Sequence, residues 1–169
     1  SRNSEVIHAG LYYTLGSLKE RLCISGKQRL YQFCQEFDVP HQATGKLIVA
    51  AESGTEELQR LLNKGQRLGI PLQWLDQQQL RNIEPEVSAY AALFSPGTGI
   101  IDSHCYMERL AQQAEQRGAL LLKHSQVLSA SERDDGWQVA VSSADGTTHI
   151  HCSALINAAG LQAQTMARA

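Results

Sequence analysis

No CxxC pair or other close spacing joins the four cysteines, Cys23, Cys34, Cys105 and Cys152. This argues against a thiolate metal clamp or a dithiol redox motif, and points to reduced, mostly buried thiols in a cytosolic protein. The chain also lacks an uninterrupted apolar run near the roughly 20 residues that span a bilayer. Its opening has no charged region followed by an apolar stretch, so it carries no signal-peptide pattern. Neither sign of charge is in marked excess, with 15 Lys and Arg against 17 Asp and Glu. A formal net charge of −2 gives no electrostatic reason to expect a nucleic-acid partner. Neither internal repeats nor low-complexity segments occur.

Two nucleotide-binding signatures are absent. Gly97-Thr98-Gly99 is the only glycine pair with GxGxxG spacing, and Asp102 stands where the third glycine belongs. An anion there opposes pyrophosphate binding, which leaves an ordinary turn. Gly45-Lys46 has no glycine five residues before it and is followed by Leu47, so the phosphate loop of nucleoside triphosphatases is missing as well.

What remains is ordinary globular composition, 43% hydrophobic and 19% charged over 169 residues, enough for one substantial core. Ser17 and Glu20 form a capping-box pattern opening a helix whose apolar face carries Leu18, Leu22, Leu30, Phe33 and Phe37, ended by Val39-Pro40. A β-branched strand follows at residues 46–50. Ser53 with Glu56 predicts a second capped helix bearing Leu58, Leu61, Leu62 and Leu68, and Asp76 caps a third through Leu80 and Ile83. Residues 91–94 form a strand. Asp102 or Ser103 caps a fourth helix, with Met107, Leu110, Ala111 and Ala114 inward and Gly118 at its end. Beyond it, residues 120–123, 126–131, 137–142 and 147–156 are strand-like, with Asp135-Gly136 and Asp145-Gly146 as hairpin signals. The order predicts an α/β (α+β) fold with an added antiparallel meander. With no terminal signal at either end, the chain reads as an internal piece of a longer protein.

The opening segment, Ser1 to Tyr13, concentrates the groups suited to ligand binding. Arg2, Asn3 and Ser4 suit phosphate or carboxylate oxygens, though a solvated turn has the same composition. His8 precedes Ala9-Gly10, where small side chains let a flat ligand approach the backbone. Imidazole titrates near neutrality and suits proton transfer, while a hydrogen-bonded structural histidine is the plainer reading. Tyr12 and Tyr13 offer rings and hydroxyls, or simply pack on the next helix. His149 and His151, alternate residues of one strand, would need further ligands such as His104 and Cys105 to hold zinc, and solvent-facing histidines are the reading preferred, with no metal expected. The turn Asn157-Ala158-Ala159-Gly160 admits a ligand or tight helix packing equally.

The opening block, together with Gly16-Ser17-Leu18-Lys19, Leu22-Cys23, residues 45–50, Gly99-Ile100-Ile101-Asp102 and Ile156-Asn157-Ala158-Ala159-Gly160, resembles the FAD-dependent L-2-hydroxyglutarate oxidases and dehydrogenases. These belong to the wider group related to D-amino acid oxidase and glycerol-3-phosphate dehydrogenase. The resemblance implies a partial FAD-binding Rossmann-like domain (1–42 and 103–169) and part of a mixed-sheet substrate domain (43–102). It implies oxidation of a 2-hydroxy acid, with FAD held by Arg2, Asn3, Ser4, Val127, Ala158, Ala159 and Gly160. His8 becomes the candidate base, and Tyr12 and Tyr13 candidate substrate contacts. Oxygen or a quinone is the implied electron acceptor, in the cytoplasm or peripherally at the inner membrane. Two alternatives stand beside this: another flavoenzyme of the group, acting on an amino acid or glycerol 3-phosphate, and a non-catalytic fragment that binds no flavin. The family usually has glycine where this chain has Glu5. A carboxylate there repels cofactor phosphates unless a cation such as Arg2 offsets it.

Overall fold

In the computed structural model, which describes residues 3–168, the chain divides into two compact units, Ser1–Gln116 and Arg117–Ala169. The first carries β1 (Val6–Ile7), α1 (Leu18–Glu36), β2 (His41–Gln42), β3 (Leu47–Ala50), α2 (Thr55–Arg67), β4 (Gln73–Leu75), α3 (Gln77–Ile83), β5 (Ala91–Phe94), β6 (Gly99–Ile101) and α4 (Ser103–Gln116). Two three-stranded sheets run through it, ordered β1-β6-β2 and β3-β5-β4, with every pairing antiparallel.

The centre of the second sheet is β5, whose sequence Ala-Ala-Leu-Phe is apolar throughout because both faces are covered. Ala91 and Leu93 meet Leu58 of α2, while Ala92 meets Leu75 and Leu80 on the α3 side. Under the other sheet, Ile7 and Ile101 pack with Cys34 and Val39, backed by Leu30 and Phe33 of α1 and Tyr106 of α4. A fourth cluster, Ala9, Leu11 and Ile70, ties the segment after β1 to Ile24 of α1 and Leu61 of α2.

Helix ends follow local chemistry. Ser17 Oγ accepts from the Glu20 amide at 3.2 Å, but the Glu20 carboxylate reaches past Ser17 to the Gly16 amide at 2.7 Å. Asp38 adopts φ 52 after α1, and the Val39 amide closes the turn on the Cys34 carbonyl. Asp76 and Gln79 form the full reciprocal box at α3. Asp102, not Ser103, caps α4, its Oδ1 accepting from the Cys105 amide at 2.9 Å. The expected cap at Ser53 does not form. A 3₁₀ turn over Glu52–Gly54 leads directly into α2, and no side chain caps that helix.

The second unit is a meander of β7 (Gln126–Arg133), β8 (Gly136–Ser143) and β9 (Gly146–Cys152), then a 3₁₀ turn (Gly160–Gln162) and the short α5 (Ala163–Met166). Both Asp-Gly hairpins form where expected. At Gly136 (φ 145) an added Cβ would lie 2.3 Å from the Cys152 carbonyl oxygen, so no other residue fits without movement. Among the described residues of this unit, only Val139 and Val141 of β8 are buried.

Several expectations fail where no apolar partner among the described residues covers the side chains, or where other residues take the inward face. Residues 120–123 form no strand, and Leu120, Leu121 and Leu122 are exposed. β9 stops at Cys152 instead of continuing to Ile156, which is 86% exposed. Leu18 and Leu22 of α1 and Met107, Leu110 and Ala114 of α4 face outward, because Ile24 and Cys34, and Cys105 and Tyr106, are the residues those helices turn inward. All four cysteines are free, yet only Cys34 is buried, the others being intermediate. The short strands β1, β2, β4 and β6 were not expected, since two or three residues carry no detectable alternation.

Candidate functional site

The segment after β1 runs His8-Ala9-Gly10-Leu11-Tyr12-Tyr13 along a cavity of about 100 Å³, closed opposite by Lys46 and Ile48 of the β3 region and by Ser95 and Thr98 beyond β5. Its course is set by α1. Gly10 has φ 90 and lies so close to the helix that a Cβ there would stand 2.8 Å from Ile24 Cγ1. Ala9 and Leu11 are core residues. The small Ala9-Gly10 step is thus demanded on one side by helix packing, while the same two residues line the cavity on the other.

Glu20, 1% exposed, anchors the far end of this segment. One carboxylate oxygen takes the Gly16 amide, and the other lies 3.5 Å from Lys64 Nζ of α2. Lys64 also donates to the Tyr13 carbonyl. One buried charge pair therefore ties α1, α2 and the tyrosine segment together. The Cys23 thiol donates to the His8 carbonyl at 3.6 Å. Burial pushes that thiol upward from its ordinary value, against weaker pulls from the Tyr13 hydroxyl, Lys27 and Lys19, which keeps Cys23 a protonated donor.

Of the expected site residues, His8, Tyr12 and Tyr13 come together at the cavity. His8 is exposed and, among the described residues, its ring makes no hydrogen bond. Tyr12 is half-exposed under Lys46 Nζ, 4.4 Å from its ring centroid, and Lys19 Nζ stands 4.6 Å from the Tyr13 centroid. Asn3 and Ser4 sit on the exposed approach to β1, where Asn3 Oδ1 accepts from the Glu5 amide at 2.8 Å. Arg2 lies outside the described residues. Glu5, at φ 56, accepts from the Ser103 hydroxyl at 2.7 Å through its carboxylate, beside the start of α4. Lys46, Ser95 and Thr98 escaped the sequence reading. They lie far apart in the chain and form no spaced motif.

Val127, Ala158, Ala159 and Gly160 belong to the second unit. Val127 is half-buried on β7, opposite Val141 and just before a β-bulge. Ala158, Ala159 and Gly160 are exposed in a turn held by Asn157, whose Oδ1 accepts from the Ala159 amide and whose side-chain nitrogen donates to the Ala163 carbonyl. A Cβ on Gly160 would meet nothing within 4 Å, so the turn offers open space above small residues. That chemistry fits a flat cofactor approaching the backbone, as the resemblance to FAD enzymes requires. His151 pairs with Asp135 at 3.0 Å, and among the described residues no cluster of three or more His, Cys, Asp or Glu could hold a metal. No helix there is long and apolar enough to cross a membrane.

Comparison with known proteins gives a consistent picture. The model of the family described as FAD dependent oxidoreductase matches residues 1–169. L-2-hydroxyglutarate dehydrogenase, mitochondrial, of Caenorhabditis elegans is 36% identical over 168 residues, covering 98% of this chain and 39% of that protein. L-2-hydroxyglutarate dehydrogenase of Escherichia coli K12 is 30% identical over 167 residues, again 98% of this chain and 39% of the relative. The chain thus spans about two fifths of the curated relatives it matches. Among solved structures, dithionite-reduced L-alpha-glycerophosphate oxidase from Mycoplasma pneumoniae with FAD bound superposes with a TM-score of 0.80 at 28% identity, covering 93% of this chain and 43% of that one.

Proposed function

Because this chain belongs to the FAD dependent oxidoreductase family, we propose that it forms part of an enzyme that oxidises L-2-hydroxyglutarate to 2-oxoglutarate. The names of the relatives support the substrate. FAD, when bound, accepts the hydride, a step that no amino-acid side chain performs. Asn3 and Ser4, with Arg2, hold cofactor oxygens. Val127 would help hold the adenine, and Ala158, Ala159 and Gly160 would let the ring system approach the backbone. Residues 1–42 and 103–169 serve the cofactor, and residues 43–102 the substrate.

His8 removes the proton of the substrate hydroxyl on its imidazole nitrogen. Tyr12 and Tyr13 flank the substrate and exclude water from it. The observation that carries this reading is the His8 ring, exposed and unbonded among the described residues, on a cavity shared with both tyrosines. A histidine kept for structure would spend a ring nitrogen on a partner. Electrons leave to oxygen or a quinone. The enzyme works in the cytoplasm or at the inner membrane periphery, although the Caenorhabditis elegans relative is named mitochondrial.

In the full-length, FAD-loaded protein, His8→Gln should slow anaerobic flavin reduction by roughly 10²–10⁴-fold, with FAD content and melting temperature unchanged. Reduction at the wild-type rate would remove His8 from the chemistry. The glycerophosphate oxidase likeness favours one second reading, oxidation of glycerol 3-phosphate, and a dye-reduction screen of the two substrates separates them. A full-length protein with a flat visible spectrum would support a scaffold without flavin.

A further inference from the structure

We propose that Lys46 is the specificity-determining cation of this site, holding the carboxylate remote from the hydroxyl-bearing carbon of a dicarboxylic 2-hydroxy acid together with the Ser95–Thr98 hydroxyl pair. The inference rests on the substrate class proposed above and adds the residues that would recognise its second acid group.

Lys46 is half-buried on the cavity wall, its ammonium above the Tyr12 ring, and among the described residues it forms no ion pair. Of the other cations near this segment, Lys64 is committed to Glu20 and Lys19 stands over the Tyr13 ring, and neither lines the cavity. No aspartate or glutamate lines the cavity. An ammonium on the wall of a cavity without a carboxylate offers its charge to a ligand anion, and the Tyr12 ring compensates it only in part.

The backbone around Lys46 is fixed. Its amide donates to the Ser95 carbonyl at 3.1 Å and its carbonyl accepts from the Ser95 amide at 2.9 Å, while the Gly45 amide bonds the Thr98 carbonyl at 2.9 Å. Ser95 and Thr98, 2% and 5% exposed, share one hydrogen bond between their hydroxyls at 3.1 Å. Whichever hydroxyl accepts in that bond keeps a proton of its own, and none of the described residues takes it. The cavity therefore presents an ammonium and a spare hydroxyl donor, a set matched to an acceptor-only anion. The same cavity has an apolar lining from Ala9, Leu11 and Ile48. That surface suits the methylenes separating two carboxylates, not a polyol or a second charged group.

The test uses full-length, FAD-loaded enzyme with L-2-hydroxyglutarate and its C5 amide as alternative substrates. Lys46→Met should raise KM for the diacid by about 10–100-fold, the range expected for a lost charge-assisted contact. It should leave KM for the amide close to wild type, so the variant no longer prefers the diacid. Lys46→Arg should recover part of the preference, which a merely structural lysine would not do. An undiminished preference in Lys46→Met, or an equal loss with both substrates, would overturn the assignment. Should wild type fail to oxidise L-2-hydroxyglutarate, the proposed activity falls, and titration with glutarate by calorimetry still decides Lys46. Binding to wild type and not to Lys46→Met supports the anchor, whereas equal binding, or none to either, overturns it.

Discussion

Glu5 illustrates how one residue carries two opposing terms. Its φ of 56 is the left-handed region that favours glycine, at a cost to any other residue of about 1–2 kcal/mol. Against this, its carboxylate accepts from Ser103 at the start of α4, where the helix dipole welcomes an anion for roughly 0.3–1 kcal/mol. Glu5→Gly should therefore change stability by less than about 1 kcal/mol, since relieved strain and lost contact offset each other. Glu5→Ala keeps the strain and loses the contact, and should destabilise by about 1–2 kcal/mol more than glycine. Urea unfolding of the pair checks this, and equal midpoints would show that φ at residue 5 relaxes without cost. The same geometry is one that glycine adopts without strain. It also shows that the carboxylate is engaged by a hydroxyl and a helix end.

At the scale of elements, the Glu20–Lys64 pair decides where the tyrosine segment lies. Glu20 is almost fully buried and Lys64 retains partial contact with solvent, so removing one charge strands the other in a partly dry place. Glu20→Gln should destabilise by about 2 kcal/mol, less than the 3–5 kcal/mol of a fully buried pair because Lys64 reaches water. The double variant Glu20→Gln, Lys64→Met should recover much of that loss. In the full-length enzyme Glu20→Gln should also raise KM, because the Tyr13 carbonyl loses its fixed partner. Thermal unfolding with steady-state kinetics reads both effects, and additive losses in the double variant would mean that the two residues act separately.

For the whole molecule, the telling feature is apolar surface left uncovered. Leu120, Ile156 and Leu161 are 87%, 86% and 82% exposed, and Leu18, Leu22 and Met107 are also outside. Each such side chain is worth about 1.5–3 kcal/mol when buried. The chain spans about two fifths of its relatives, and it lacks the GxGxxG turn that would hold the cofactor's pyrophosphate. Residues 1–169 alone should bind a hydrophobic dye strongly and take up little or no FAD. A chain extended to the relatives' length should lose most of the dye signal and bind FAD stoichiometrically. A yellow, fully loaded preparation of residues 1–169 would contradict this.

Local signals survived into the structure wherever a few neighbouring residues settle the matter. The caps at Asp76 and Asp102 and the two Asp-Gly hairpins needed no distant partner, so the sequence by itself determined them. The cluster His8, Tyr12 and Tyr13 was legible too, because it lies within six residues of chain. Tertiary structure decided the rest. Whether Leu120–Leu122 becomes a strand, or which face of α1 turns inward, depends on what chain is available to pair with it, and periodicity cannot report that. Lys46, Ser95 and Thr98 reach the cavity through the pairing of β3 with β5 and the turn that follows. Long-range hydrogen bonding of backbones, which leaves no mark in residue spacing, alone brings them to His8.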